Sequence, residues 1–318
     1  MKLFFLYMNF LICISHILDE IRKDIISKGL LYLPKRDNVN ILKMAVEMSN
    51  IKEQYSMTEA ETAYFIFKWI GQNIDYDCYG SNHGNIINEY FIAYREGKGG
   101  EAGISDLFNN MCEFLNIESH TIFGIEKYMT RNLAHLIELR ETSWNSVLIG
   151  ENYYLLDISK GLGYCEGDLF IRTNNDNDNY FGINPEASIR LRFPNDNNWQ
   201  LLSKPVTKAE FNSMAFLNDD FFKEFKTISP DVQTLKNGDE VKIKLTFDKP
   251  IGSIDKTEVI ALLDTLDKEH SPEWIKIKDL KMSNETYEFT FNIGNAGYLL
   301  INIRINSLSY GIVTYEVY

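Results

Sequence analysis

Three glycines in four residues, Gly97, Gly99 and Gly100, stand directly before an apolar series with helical spacing: Ile104, Leu107, Phe108, Met111 and Leu115. Glycine in a helix interior costs about 1 kcal/mol relative to alanine, so the helix stops short of the glycines and begins at Glu101. The spacing predicts a helix over residues 101–115 with one buried face. The first turn of such a helix gathers backbone N–H groups that have no partner within it, and these favour negative charge. Glu101 stands on that turn.

The chain before it, from about residue 18 to 80, reads as helical. Thr58 with Glu61 three residues later forms a capping-box pattern. Ala63, Ile66, Phe67 and Ile70 follow on one face, and Asn73 to Asp77 closes the segment. Between about 119 and 165 the texture changes to strands: His120–Phe123, Trp144–Ile149 and Tyr153–Asp157, the last two joined through Gly150-Glu151-Asn152. Helix signals return at 207–211 and 219–225. After Ser229-Pro230 the runs Glu240–Phe247, Tyr287–Phe291 and Tyr298–Ile305 alternate between turns at Asn237-Gly238, Ser283-Asn284 and Asn295-Ala296-Gly297. That pattern predicts a β-sandwich of roughly seven strands. The expected organisation is a first domain over 18–228, with linking helices, and a sandwich over 229–318, without internal repeats.

Residues 1–17 have the layout of a secretory signal peptide: Lys2 precedes a mostly apolar run that ends before Asp19 and Glu20. A secreted or extracellular protein is therefore expected, with no membrane span once the leader is removed. Losing Cys13 with the leader leaves Cys78, Cys112 and Cys165, enough for one disulfide and one spare thiol, with the pairing open. A formal net charge of −13 argues against nucleic acid as a partner, because neutralising phosphates needs a basic face and none stands out in the sequence. The charge favours a basic protein or peptide partner. No Cys-x-x-Cys or histidine-rich spacing suggests zinc. The run Asn174–Asn179 fails as a calcium loop, because Asn179 and Pro185 stand where glycine and the closing acid belong. It reads as a solvated polar loop, and no metal or cofactor is expected. Asn284-Glu285-Thr286 is a glycosylation sequon, which makes Asn284 a modification candidate.

Several separated motifs agree in order. They are Trp69-Ile70, Asn73-Ile74 and Tyr76-Asp77, then Gly103, Ser105, Leu107, Phe108, Met111 and Cys112, then Trp144, Asn145 and Val147, then Asp157. Trp199–Leu202, Lys204–Val206 and Phe221-Phe222 follow. Over about residues 58–225 the chain resembles the kyphoscoliosis-peptidase branch of the transglutaminase-like superfamily. The resemblance implies an α+β architecture, a transglutaminase-like (papain-like cysteine protease) domain followed by an all-β immunoglobulin-like sandwich. It also implies a Cys-His-Asp triad, and here the triad is degenerate: Glu101 holds the cysteine position, Thr142 holds the histidine position, and Asp157 is retained.

A thiolate at a helix N-terminus is stabilised by the free N–H groups and the dipole, and a carboxylate gains about 0.3–1 kcal/mol from the same place. A carboxylate is nevertheless a poor nucleophile toward an amide, and a threonine hydroxyl takes up no proton near neutral pH. The expected protein is a secreted or surface pseudoenzyme that binds or scaffolds. Cys112, eleven residues and about 16 Å of helix beyond Glu101, reads as core. His120 and His135 have no evident partner. Two alternatives stand beside this reading: a hydrolase using Glu101 and Asp157 as a carboxylate pair, and a purely structural adhesion module acting through the sandwich.

Overall fold

The computed structural model describes residues 17–129, 137–172, 177–217, 221–222, 225–236, 238, 240–247, 257–264, 273–275, 278–292, 298–305 and 308–317. Residues 1–16 of the expected leader, His135 and the turn at 295–297 lie outside these. Contacts divide the chain into two units. The first comprises Met1–Gly124, Glu141–Pro185 and Pro194–Leu201; the second comprises Ile125–Arg140, Glu186–Phe193 and Leu202–Tyr318.

The first unit is built around helices α1 (Lys23–Tyr32), α2 (Ile41–Gln54) and α3 (Glu59–Asn73). The expected capping box starts α3: Thr58 Oγ1 accepts from the Glu61 N–H at 3.2 Å, and Glu61 Oε2 accepts from the Thr58 N–H at 2.9 Å. Sequence spacing predicts one apolar face on this helix. Instead Ala60 to Phe67, Trp69 and Ile70 are all buried, so α3 is the central helix and is covered on every side. Phe65, Phe67, Trp69 and Phe108 lie wholly inside its cluster, each worth about 1.5–3 kcal/mol of transfer free energy. Ile17, the last residue of the expected leader, is also buried there. A leader removed after residue 17 would take that contact with it.

After α3 come β1 (Asp75–Tyr76), α4 (Cys78–His83), α5 (Tyr90–Glu96), β2 (Lys98–Gly99) and α6 (Glu101–Phe114). The long strands β3 (Ser119–Met129) and β4 (Ile137–Ile149) and the shorter β5 (Asn152–Leu156) follow. Ile149 pairs with Asn152, so the expected hairpin turns on Gly150-Glu151, with Gly150 at φ +62°. Then come α7 (Ile158–Leu162), the hairpin β6 (Gly163–Glu166) and β7 (Leu169–Arg172), β8 (Phe181–Ile183), α8 (Pro185–Leu191) and β9 (Arg192–Pro194). The main sheet has the order β8-β5-β4-β3-β9.

The polar loop expected to be solvated departs from expectation at Asp178. This residue is buried, accepts a hydrogen bond from the Tyr64 hydroxyl, and pairs with Lys23 at 2.5 Å and Lys68 at 3.2 Å. A buried phenol needs a partner, and Asp178 supplies it.

In the second unit α9 (Lys208–Ser213) and β10 (Phe216–Leu217) lead into β11 (Phe225–Ser229), β12 (Thr234–Leu235), β13 (Glu240–Phe247), β14 (Thr257–Asp264), β15 (Glu273–Ile275), β16 (Lys278–Met282), β17 (Thr286–Asn292), β18 (Tyr298–Ile305) and β19 (Leu308–Val317). One sheet runs β10-β19-β18-β14-β15, with β12 also on β19, and the other runs β11-β13-β17-β16. Ile243, Leu245 and Phe289 of the second sheet share a core with Leu299, Ile301 and Val313 of the first. The boundary expected at 228/229 falls inside this core, because Ala215, Leu217, Phe221, Phe225 and Ile228 already belong to it. The helix expected over 219–225 gives way at Phe225, whose ring is needed among Phe221, Phe247 and Tyr287. Lys127 is buried in this unit with its Nζ on the Met214 carbonyl at 2.7 Å, and burial first, then Arg190, pulls its pKa down to about 7.

Glu61 joins the cap of α3 to the chain ahead of α1. Its carboxylate, 1% exposed, receives Arg22 Nε at 2.5 Å and Nη2 at 2.6 Å. That hydrogen bonding outweighs burial and lowers its pKa from 4.5 to about 2. A carboxyl depressed in the folded state contributes stability above its unfolded pKa and loses it as pH falls through the folded value. Stability measured by urea unfolding should therefore drop between pH 4.5 and pH 2, and Glu61→Gln should flatten that limb while lowering stability at pH 7. Parallel acid limbs in the two proteins would rule the pair out as the cause.

Candidate functional site

The start of α6 is fixed by backbone pairing upstream of it. β1 and β2 run parallel, with Asp75 opposite Lys98 and Tyr76 opposite Gly99. The Asp75 N–H donates to Gly97 O at 2.8 Å and the Asp77 N–H to Gly99 O at 3.0 Å. Gly97 ends α5 in the left-handed region at φ +71°, where a side chain is disfavoured. Gly100 is then the N-cap of α6, and Gly103 sits one turn in, where a Cβ would lie 2.6 Å from the Ile87 carbonyl oxygen. The segment 86–88 passes that close to the helix, which explains a glycine inside it.

Asp77 holds this corner together. Its buried carboxylate caps α4 through the Gly80 N–H at 3.2 Å, receives Lys98 Nζ at 2.9 Å, and accepts from the Ile87 N–H at 3.3 Å. Burial alone would raise its pKa, but Lys98 and the two N–H groups prevail and hold it below the usual range. The Cys78–Cys165 disulfide fixes the pairing that the sequence leaves open, tying α4 to β6, while Cys112 is free and buried. Arg172 of β7 donates to the Ile74 carbonyl at 2.9 Å and bonds Asp75, so the β6–β7 hairpin is clamped beside β1.

At the mouth of α6 the Tyr76 hydroxyl donates to Glu101 Oε2 at 2.9 Å. Glu101 is half-buried on the first turn, as the glycine pattern predicts. One turn on, Ser105 is met by β4: the Ser143 hydroxyl donates to Ser105 Oγ at 3.3 Å and Asn145 Nδ2 donates to the Ser105 carbonyl at 2.9 Å. Thr121 and Ser119 of β3 donate to Asp106 and Asn109 of the same helix, each at 2.7 Å. Thr142 is buried and is the immediate neighbour of Ser143, but the side chains by which β4 reaches α6 are Ser143 and Asn145.

Asp157 has a definite structural task. It ends β5, caps α7, accepts from the Lys160 N–H at 3.2 Å and the Ser159 hydroxyl at 2.7 Å, and is 1% exposed. Cys112 is wholly buried, and burial drives its thiol pKa far above the ordinary value, so it offers no thiolate. The His120 ring packs against Trp199 at 4.8 Å and Tyr153 at 5.7 Å and approaches Glu118 at 3.4 Å. His83, which the sequence does not single out, pairs with Asp168 at 3.0 Å and lies against Tyr79. Among the described residues no group of His, Cys, Asp and Glu could hold a metal ion, and no helix is long and apolar enough to cross a membrane.

Part of the chain, 54% of it, is 25% identical over 175 residues to human kyphoscoliosis peptidase, covering 26% of that protein. A similar stretch, 52% of the chain, is 24% identical over 186 residues to Drosophila melanogaster hillarin, covering 22% of it. The matched half of the chain is transglutaminase-like. The chain thus spans about a quarter of the length of these curated relatives. In Caenorhabditis elegans, LIM and transglutaminase domain protein ltd-1 is 24% identical over 181 residues, 52% of the chain and 24% of that protein. A solved transglutaminase structure overlaps 46% of the chain and 36% of its own, at 14% identity and a TM-score of 0.30. No family model matches.

Retention of Asp157 is explained by capping, and capping needs an acceptor oxygen rather than a charge. Asp157→Asn should therefore cost well under the roughly 1–2 kcal/mol expected for Asp157→Ala, read by chemical unfolding at pH 7. Equal losses for the two variants would show that the charge, not the cap, is what the fold uses.

Proposed function

We propose that this chain is a secreted or cell-surface pseudoenzyme: a transglutaminase-like scaffold that binds a protein or peptide partner, followed by an immunoglobulin-like sandwich that adds a second surface. The observation that carries the proposal is Glu101 on the first turn of α6, held by the Tyr76 hydroxyl, at the position where the resemblance implies a cysteine. The helix terminus there stabilises an anion, but a carboxylate that attacked an amide would form a high-energy anhydride. Thr142 at the histidine position supplies no base. The Cys78–Cys165 disulfide supports an oxidising compartment, because cytosolic disulfides of this kind are rare. The net charge of −13 and the half-buried carboxylate support a partner bearing lysine or arginine.

A carboxylate-pair hydrolase is the second reading, and the state of Asp157 weighs against it. That carboxylate is buried and engaged at the α7 cap, whereas a glycosidase-type pair needs both groups facing substrate. An adhesion module working through the sandwich alone leaves the arrangement at Glu101 without a purpose.

The test is to offer the full chain glutamine-amide and peptide substrates with an amine acceptor, and in parallel a lysine-rich peptide. No ammonia release, cleavage or amine incorporation is expected. Binding of the basic peptide is expected to weaken severalfold in Glu101→Lys and with added salt. Turnover lost in Glu101→Gln would overturn the proposal, and basic-peptide affinity indifferent to Glu101→Lys would remove the site from it.

A further inference from the structure

We infer that Asn284 carries an N-linked oligosaccharide at the tip of the β16–β17 hairpin, an inference that rests on the secretory reading above. Asn284-Glu285-Thr286 is the single Asn-x-Ser/Thr sequence in 318 residues, although asparagine is abundant throughout the chain. Its setting is that of an acceptor. The turn is closed by its flanking residues: the Ser283 N–H donates to the Thr286 carbonyl at 2.9 Å, and the Thr286 and Glu285 N–H groups donate to Ser283 Oγ at 2.9 and 3.2 Å. Asn284 is exposed, and its side chain makes no hydrogen bond among the described residues. A sugar on Nδ2 therefore displaces no contact of the fold and points into solvent.

The position also has a use. Among the described residues β16 stands at the end of the sheet order β11-β13-β17-β16, so it presents an edge. Exposed edges invite pairing with other chains, and proteins blunt them with charge and bulges. β16 carries Lys278 and Lys281, with the register against β17 shifting between them. A glycan at the adjoining turn adds a hydrated bulk beside that edge.

The covalent step needs a donor that the secretory compartment supplies, a lipid-diphosphate-linked oligosaccharide with its membrane transferase. The Asn284 amide nitrogen forms a bond to the anomeric carbon. The carbon–oxygen bond to the diphosphate breaks, the lipid diphosphate leaves with the electron pair, and the amide loses one proton to the transferase. The Thr286 hydroxyl completes the sequence that the transferase reads.

The experiment expresses the full chain in cultured eukaryotic secretory cells, once with its own N-terminus and once behind a borrowed leader. Medium and cell fractions are then treated with peptide N-glycanase. One discrete downward mobility step is expected, absent in Asn284→Gln and Thr286→Ala but kept in Thr286→Ser, and matching melting temperatures after deglycosylation exclude misfolding. A chain that enters the secretory pathway behind the borrowed leader and shows no step overturns the inference. A step obtained only with the borrowed leader sustains the glycan while overturning secretion from the chain's own N-terminus.

Discussion

The parallel pairing of β1 with β2 sets the geometry on which the site depends. Two backbone hydrogen bonds, from Asp75 to Gly97 and from Asp77 to Gly99, lay the end of the α3 segment beside the start of α6. Once they form, Tyr76 meets Glu101, and Asp77 can reach Gly80, Ile87 and Lys98 together. A two-residue parallel pair is weak alone, so it is clamped from outside by Arg172 on Ile74 and Asp75 and by the Cys78–Cys165 disulfide. Closing a loop of this length removes several kcal/mol of unfolded-chain entropy in the usual account. The carboxylate at the helix mouth sits in a corner stapled from several directions.

Local rules made much of this legible. The capping box at Thr58 and Glu61, the abrupt helix start at Glu101 and the turn at Gly150 each depend on residues within a few positions of one another, and each stands as expected. What depends on distant residues was not legible. The Arg22 partner of Glu61 lies 39 positions away, and the Tyr64, Lys23 and Lys68 partners of Asp178 lie more than a hundred away. The cysteine spacing allowed three pairings and could not choose among them. The expected boundary at 228/229 rests on Ser229-Pro230, a strong local break, whereas Phe221 and Phe225 enter the core of the second unit by packing that sequence period does not report. At the site, Tyr76 was visible as part of a motif but not as the donor to Glu101.

Asp157, Glu101 and Thr142 are each held for a different physical reason. Asp157 serves the fold as the cap of α7, and that task needs no catalytic partner. Glu101 accepts the same electrostatic offer that a thiolate would and adds a hydrogen bond from Tyr76. Thr142 is buried in β4, where a β-branched residue packs well and asks nothing of the solvent. Each of these three residues is thus locally favourable where it stands.

In the proposed pseudoenzyme the mouth of α6 still stabilises negative charge as that of a thiol enzyme does. Alkylation rate against pH in a Glu101→Cys variant that also carries Cys13→Ser measures this directly, since Cys112 is buried and Cys78 and Cys165 are bonded to each other. The expected result is a thiol whose apparent pKa lies at least one unit below the free value of about 8.5. A thiol titrating at or above that value would contradict it.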